Sequence, residues 1–171
     1  MNSMTTGLLY GYVNKKCFFR NGGIMKFREH YGFLSNMYPC KVRMTMLNGG
    51  TYVFDNAEAA FQASKFAETE KIERFIGLEG RKAKRLGKTI RLNSSELTAW
   101  NSRRNAVMKQ VVSAKFNQNP ELAKQLEEVS EPIVEENTWN DTYWGVCRGK
   151  GQNHLGLILQ EVQKEITEGG K

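Results

Sequence analysis

Glu58, Gln62 and Lys65 fall at i, i+4 and i+7 within the segment NAEAAFQASKF. On a helix, that spacing projects an acid, an amide and an amine from one side, with Glu58 and Lys65 about 10 Å apart along the axis at roughly 1.5 Å per residue. Side chains of this length can approach one ligand from two ends. The spacing also has a structural reading, because Asp55-x-x-Glu58 has the form of a capping box, in which Glu58 bonds back to the amide of the cap residue. The residues alone weigh the two readings equally.

A second concentration of reactive types is NDTYWGVCRGKGQNHLG, Asn140 to Gly156, where Asp141, Tyr143, Trp144, Arg148 and Lys150 stand among glycines before an apolar-periodic segment. Free backbone amides at such a helix start favour phosphate. Gly-rich turns are also ordinary punctuation, and neither the Walker nor the dinucleotide glycine spacing is present. Arg81, Lys82, Lys84, Arg85, Lys88 and Arg91 form a dense basic run suited to phosphate or to a nucleic-acid backbone, with a solvated helix face as the plainer reading. Trp100, on an apolar stripe, reads first as core and second as a base-stacking ring.

These residues need elements to hold them. KVRMTMLNGGTYVF, 41 to 54, alternates apolar and polar positions around Asn48-Gly49-Gly50 and predicts a β-hairpin. LLYGYVNKKCFFR, 8 to 20, suggests another. With Asp55 as its cap, a helix is expected from Asn56 to about Phe66, then one from about Lys71 to Ile76, and a basic one from Gly80 to Leu86 stopped by Gly87. The longest helix is expected over Ser95–Phe116, with Leu97, Trp100, Arg104, Val107, Met108, Val111 and Val112 on one face. Asn119-Pro120 restarts a short helix bearing Leu122 and Leu126. Ile133 and Val134 suggest a strand, and a final helix carries Leu155, Ile158, Leu159, Val162 and Ile166. The pattern is α+β: a predominantly helical single domain with a small antiparallel β-sheet.

At 171 residues and 40% hydrophobic content the chain supports one core. Residues 1–24, before the Asn21-Gly22-Gly23 punctuation and Met25, read as an N-terminal extension, and 25–171 as the working domain. The net charge of +7, from 25 Lys and Arg against 18 Asp and Glu, suits phosphate-bearing ligands or nucleic acid. Cys17, Cys40 and Cys147 are odd in number and lack metal-site spacing, and His30 and His154 lie far apart, so neither a disulfide framework nor a metal centre is expected. With no apolar run of membrane-spanning length and no signal-peptide core, the expected location is cytoplasmic.

Several separated segments, in order, resemble the NADAR (YbiA-like) family over about residues 26–166. They are YGFLSNMYP at 31–39, NAEAAFQASKF at 56–66, AKRLG at 83–87, Trp100 followed by Val107-Met108, KFNQNPEL at 115–122, NDTYWG, and GQNHLG. The chain departs from the family pattern at Val146 and Cys147, at Ser130-Glu131-Pro132 and at Gln163, which puts the substrate in question more than the reaction. The resemblance implies hydrolysis of N-glycosidic bonds between a base and a phosphorylated ribose, without metal or redox cofactor. Its substrates are phosphoribosylamino-pyrimidine intermediates of riboflavin synthesis or ADP-ribose on guanine, and the high positive charge favours the latter. It further implies catalytic roles for Glu58, Lys65 and Asp141. Tyr31, Trp100 and Trp144 would stack on the base, and Gly32, Ser35, Asn36, Gln62, Gly145 and Asn153 would surround substrate. Lys150 and the Gly151 amide would hold phosphate. The rival expectation is a noncatalytic module that binds ADP-ribose or nucleic acid with the same residues.

Overall fold

The computed structural model describes residues 27 and 29–169. The hairpin expected at 8–20, the 1–24 extension and Cys17 lie outside the described residues.

A 3-10 turn at Glu29–Leu34 leads into β1 (Val42–Thr45), which pairs antiparallel with β2 (Thr51–Phe54) in the register Val42 to Phe54 through Thr45 to Thr51. The expected turn joins them, with Gly49 at φ +78°, a left-handed conformation that glycine adopts without strain. Six helices follow among the described residues: α1 (Ala57–Ala63), α2 (Thr69–Glu73), α3 (Gly80–Thr89), α4 (Ser94–Asn117), α5 (Pro120–Glu127) and α6 (His154–Gly169). Between the last two, β3 (Glu136–Asn137) and β4 (Val146–Cys147) form a two-residue parallel pair. The class is α+β and dominated by helix, as the sequence patterns indicate.

The long helix α4 is the axis of the molecule, packing against α1, β1, α5 and α6. Asn93 starts it with a complete capping box, accepting from the Glu96 amide while the Glu96 carboxylate accepts from the Asn93 amide. Its Val111, Val112 and Phe116 meet Leu34, Val42, Leu126 and Leu159 in one buried cluster. Leu97, expected on the apolar stripe, is exposed instead.

Three local expectations are corrected. The cap of α1 is Asn56, whose Oδ1 accepts from the Ala59 amide at 2.8 Å, while Asp55 pairs outward with Lys41. Gly87 does not end α3, which runs on to Thr89. Finally, Ile133 and Val134 join no ladder. Side chains satisfy the Ile133 backbone instead: its N–H donates to Gln160 Oε1 at 3.2 Å, and its carbonyl accepts from Asn153 Nδ2 at 2.9 Å. A chain run served by side chains has no periodic backbone signature, so alternation could not reveal it.

Candidate active site

Because Asn56 caps α1, the Glu58 carboxylate is not used by a capping box and points inward. It is 7% exposed and accepts from Gln62 Nε2 at 2.7 Å, one turn along the helix. Burial drives its pKa above the ordinary carboxylate value. Gln62, Lys84 and Lys65 pull it back, and Asp141 raises it further. Gln62 is held in turn by Gly87, since a Cβ there would stand 2.0 Å from Gln62 Oε1. The glycine that the sequence suggests as a helix stop is thus a point of close approach between α1 and α3.

Glu58 opens onto a cavity of about 150 Å³, whose wall includes Asn36, Phe61, Glu135, Asp141 and Trp144. The Asn36 carbonyl accepts from the Glu58 amide at 2.8 Å, fixing the 35–37 loop to the start of α1. Asn36 Oδ1 is buried without a partner, and so is Glu135 Oε2. Orphaned acceptors on a cavity wall are costly in an empty fold and useful to a ligand bearing N–H or O–H groups.

The loop that carries Asn36 is anchored from below by Lys115 of α4. Its fully buried ammonium donates to the Phe33 carbonyl at 2.5 Å and the Ser35 carbonyl at 2.8 Å, and burial lowers its pKa to about 8. Opposite, the Asp141 carboxylate accepts from the amides of Tyr143 and Trp144 at 3.2 and 2.9 Å, closing the turn that presents the Trp144 ring. Trp144 packs edge-on against Phe61, 5.5 Å between centroids.

The Glu135 carboxylate is on the same wall, and its pKa is pushed up to about 7. Burial is the main cause, Asp141 and Glu58 add to it, and Lys84 opposes it. Sequence reading does not single out Glu135, because one of several acids in EENTWND has no distinguishing pattern. Lys84 is also on the wall, as are Ser35 and Gln62. Among the described residues, no three acidic, His or Cys side chains are arranged to hold a metal ion.

Not every candidate faces this cavity. Lys65 lies behind Glu58: its half-buried ammonium donates to the Gly87 carbonyl at 3.2 Å and stands 5.9 Å from the Trp100 ring. Burial lowers its pKa, Glu58 opposes this, and Lys88 reinforces it. Trp100, 6% exposed, packs on Phe61 and under Arg103, so Phe61 takes the wall position expected of Trp100. The signal for Phe61 was its place at i+3 from Glu58. Tyr31 turns away, donating to Glu131 at 3.4 Å, and the Gly32 carbonyl accepts from the Ser35 amide within the 3-10 turn.

Part of the expected phosphate cradle, the amides at the start of the last helix, is used by the chain itself. At the start of α6 the amides of Gln152, Asn153, His154 and Leu155 donate to the carbonyls of Thr142, Gly145, Tyr143 and Trp144. Asn153 Oδ1 accepts from the Glu135 amide at 3.0 Å, and a Cβ on Gly151 would stand 2.1 Å from the Gly145 carbonyl. Gly145, Gly151 and Asn153 therefore fold the wall that carries Asp141, Trp144 and Glu135, and Lys150 is exposed in a turn that bridges back to Cys147.

Comparison with known proteins agrees with this architecture. Residues 18–167 match the NADAR domain family. The chain is 33% identical over 147 residues to the N-glycosidase YbiA of Escherichia coli K12, covering 81% of this chain and 84% of that protein. It is also 33% identical over 142 residues to a riboflavin biosynthesis protein of Vibrio vulnificus, covering 82% of this chain but 37% of that longer protein. The NMR structure of E. coli YbiA superposes with a TM-score of 0.67 at 28% identity, covering 88% of this chain and 92% of that one.

Proposed function

From the premise that this chain belongs to the NADAR domain family, we propose that it is an N-glycosidase hydrolysing the bond between a base and a phosphorylated ribose, with ADP-ribosylated guanine as preferred substrate. The observation that carries the reading is a set of four carboxylates, Glu58, Glu135, Glu136 and Asp141, around one cavity walled by Phe61 and Trp144.

Cleavage of a ribose C1–N bond develops positive charge on the sugar and negative charge on the departing base. Glu58, returned toward its ionised form by Gln62, Lys84 and Lys65, supplies the anion beside C1 or takes the proton of the attacking water. Glu135, with a pKa near neutrality, supplies a proton to the base as it leaves. Phe61 and Trp144 contact the base, and the free acceptor of Asn36 receives one of its N–H groups. Asp141 acts through the backbone, holding Trp144.

A second course uses Lys65, whose lowered pKa favours it and whose amine must first leave the Gly87 carbonyl and turn from behind Glu58 into the cavity. A neutral amine there adds to C1 as the C1–N bond breaks and the base leaves with a proton; the ring then opens to a Schiff base, which water hydrolyses to the free sugar and the amine. Phosphoribosylamino-pyrimidine is the alternative substrate, a reading supported by the riboflavin biosynthesis relative.

The deciding experiment incubates wild type and Glu58→Gln with each substrate and follows base release by mass spectrometry. Release by wild type, reduced roughly 10²-fold or more in the folded variant, is expected. Stoichiometric binding of ADP-ribose without turnover would make the protein a binding module.

A further inference from the structure

Beside the cavity runs a wider, more open groove of about 500 Å³, lined by Arg81, Lys82, Lys84, Arg85 and Lys88 of α3 with Met37 and Glu79. Met37 and Lys84 belong to both depressions, so the groove adjoins the cavity that Glu58 lines. Among the described residues the only ion pair within it is Lys82 with Glu79, at 3.7 Å. The remaining cations are offered to solvent or ligand.

At the same junction stands Trp139. It lines the cavity, is 51% exposed, and has the Lys84 ammonium 5.9 Å from its ring centroid. Its exposure is built into the loop. Buried Asn137 accepts from the amides of Trp139 and Asp141 and donates to the Asp141 carbonyl, pinning both sides of the tryptophan. A large aromatic held out of the core by satisfied hydrogen bonds is a stacking surface.

We propose that the α3 groove and Trp139 bind single-stranded nucleic acid and lead a modified base from the strand into the cavity. The shared chemistry is phosphate, and the length of the groove selects a strand over a free diphosphate. Arg81 and Lys88 are seven residues apart, about 10 Å along α3 at roughly 1.5 Å per residue, which with the reach of their side chains exceeds a diphosphate and suits about three successive phosphates of an extended strand. An aromatic platform beside a cationic track accepts any base, and an unstacked base is what an enclosed site requires. The inference rests on the glycosidase reading for the purpose of the groove, but not for its detection.

The test uses the full chain and an unmodified, fluorescein-labelled DNA strand of about 12 nucleotides, titrated by anisotropy. Three phosphate contacts predict a log–log salt slope of about −2, so affinity falls roughly 15-fold between 50 and 200 mM salt. The exposed pair Arg81→Ala/Arg85→Ala reduces the slope by about 1.4. Trp139→Ala weakens binding at least fivefold and leaves the slope unchanged. Duplex of the same length binds more weakly, and inorganic pyrophosphate at equal phosphate concentration competes poorly. No saturable binding at 50 mM salt, an unchanged slope in the double variant, or complete displacement by pyrophosphate overturns the proposal. Because the probe carries no ADP-ribose on guanine, a failed base-release assay with intact strand binding rejects the glycosidase and leaves the groove.

Discussion

Gln62 donates to Glu58 across one turn of α1, at 2.7 Å, and its other amide atom lies against Gly87 of α3. An internal helical contact thus depends on the absence of a side chain on a neighbouring helix.

Gly87→Ala separates site geometry from stability. Its Cβ meets Oε1, Cδ and Cγ of the flexible Gln62 side chain and no backbone atom, so Gln62 swings aside and folding survives. Alanine in a helix interior contributes about 1 kcal/mol over glycine, which offsets the displacement. The melting temperature is expected to stay within a few degrees of wild type while base release falls at least tenfold. Equal loss of stability and activity would show that Gly87 serves packing alone.

Asn56→Ala tests the assignment of the α1 cap. Removing a cap of this type costs about 1 kcal/mol, and the Asn56 side chain also donates to the Leu78 carbonyl at 2.7 Å, so about 2 kcal/mol of destabilisation is expected by urea denaturation. Asp55→Ala, which removes an exposed pair with Lys41, is expected to cost under about 1 kcal/mol. The reverse order would restore Asp55 as the cap.

Glu135→Gln should be more stable than wild type at pH 8 and equal to it at pH 4. The folded-state pKa of Glu135 is raised from 4.5 to about 7. Between those values the folded state binds more protons than the unfolded state, so wild-type stability falls as pH rises through that window. Its full penalty is reached above pH 7, up to about 3 kcal/mol. Melting curves of both proteins from pH 4 to 8 measure the difference. The same variant should lose the decline in activity near pH 7 that deprotonation of a proton donor produces.

Borohydride reduction in the presence of substrate distinguishes the two courses of cleavage. A Schiff base at Lys65 leaves a permanent mass increment on the peptide containing that residue, absent in Lys65→Arg. Full turnover without any adduct assigns the anionic role to Glu58 and makes Lys65 an electrostatic neighbour that lowers the Glu58 pKa.

The sequence by itself determined the helices, the 41–54 hairpin and the shared face of Glu58 and Gln62, because each is a local consequence of period, turn chemistry or spacing. Several separated motifs also carried the family. Tertiary structure decided which candidates meet. Glu135 joins the site because Asn153 and Val146 hold its backbone from far along the chain. Phe61 faces the cavity where Trp100 was expected, since α4 turns the Trp100 ring behind it. The glycines of the 145–156 segment, readable as a phosphate cradle, help fold the wall, and the amides of Gln152 to Leu155 at the start of α6 already donate to carbonyls of residues 142–145. Spacing reports what one element can present. Burial, and the partner each polar group finds across the fold, decides which of those groups remain free for chemistry.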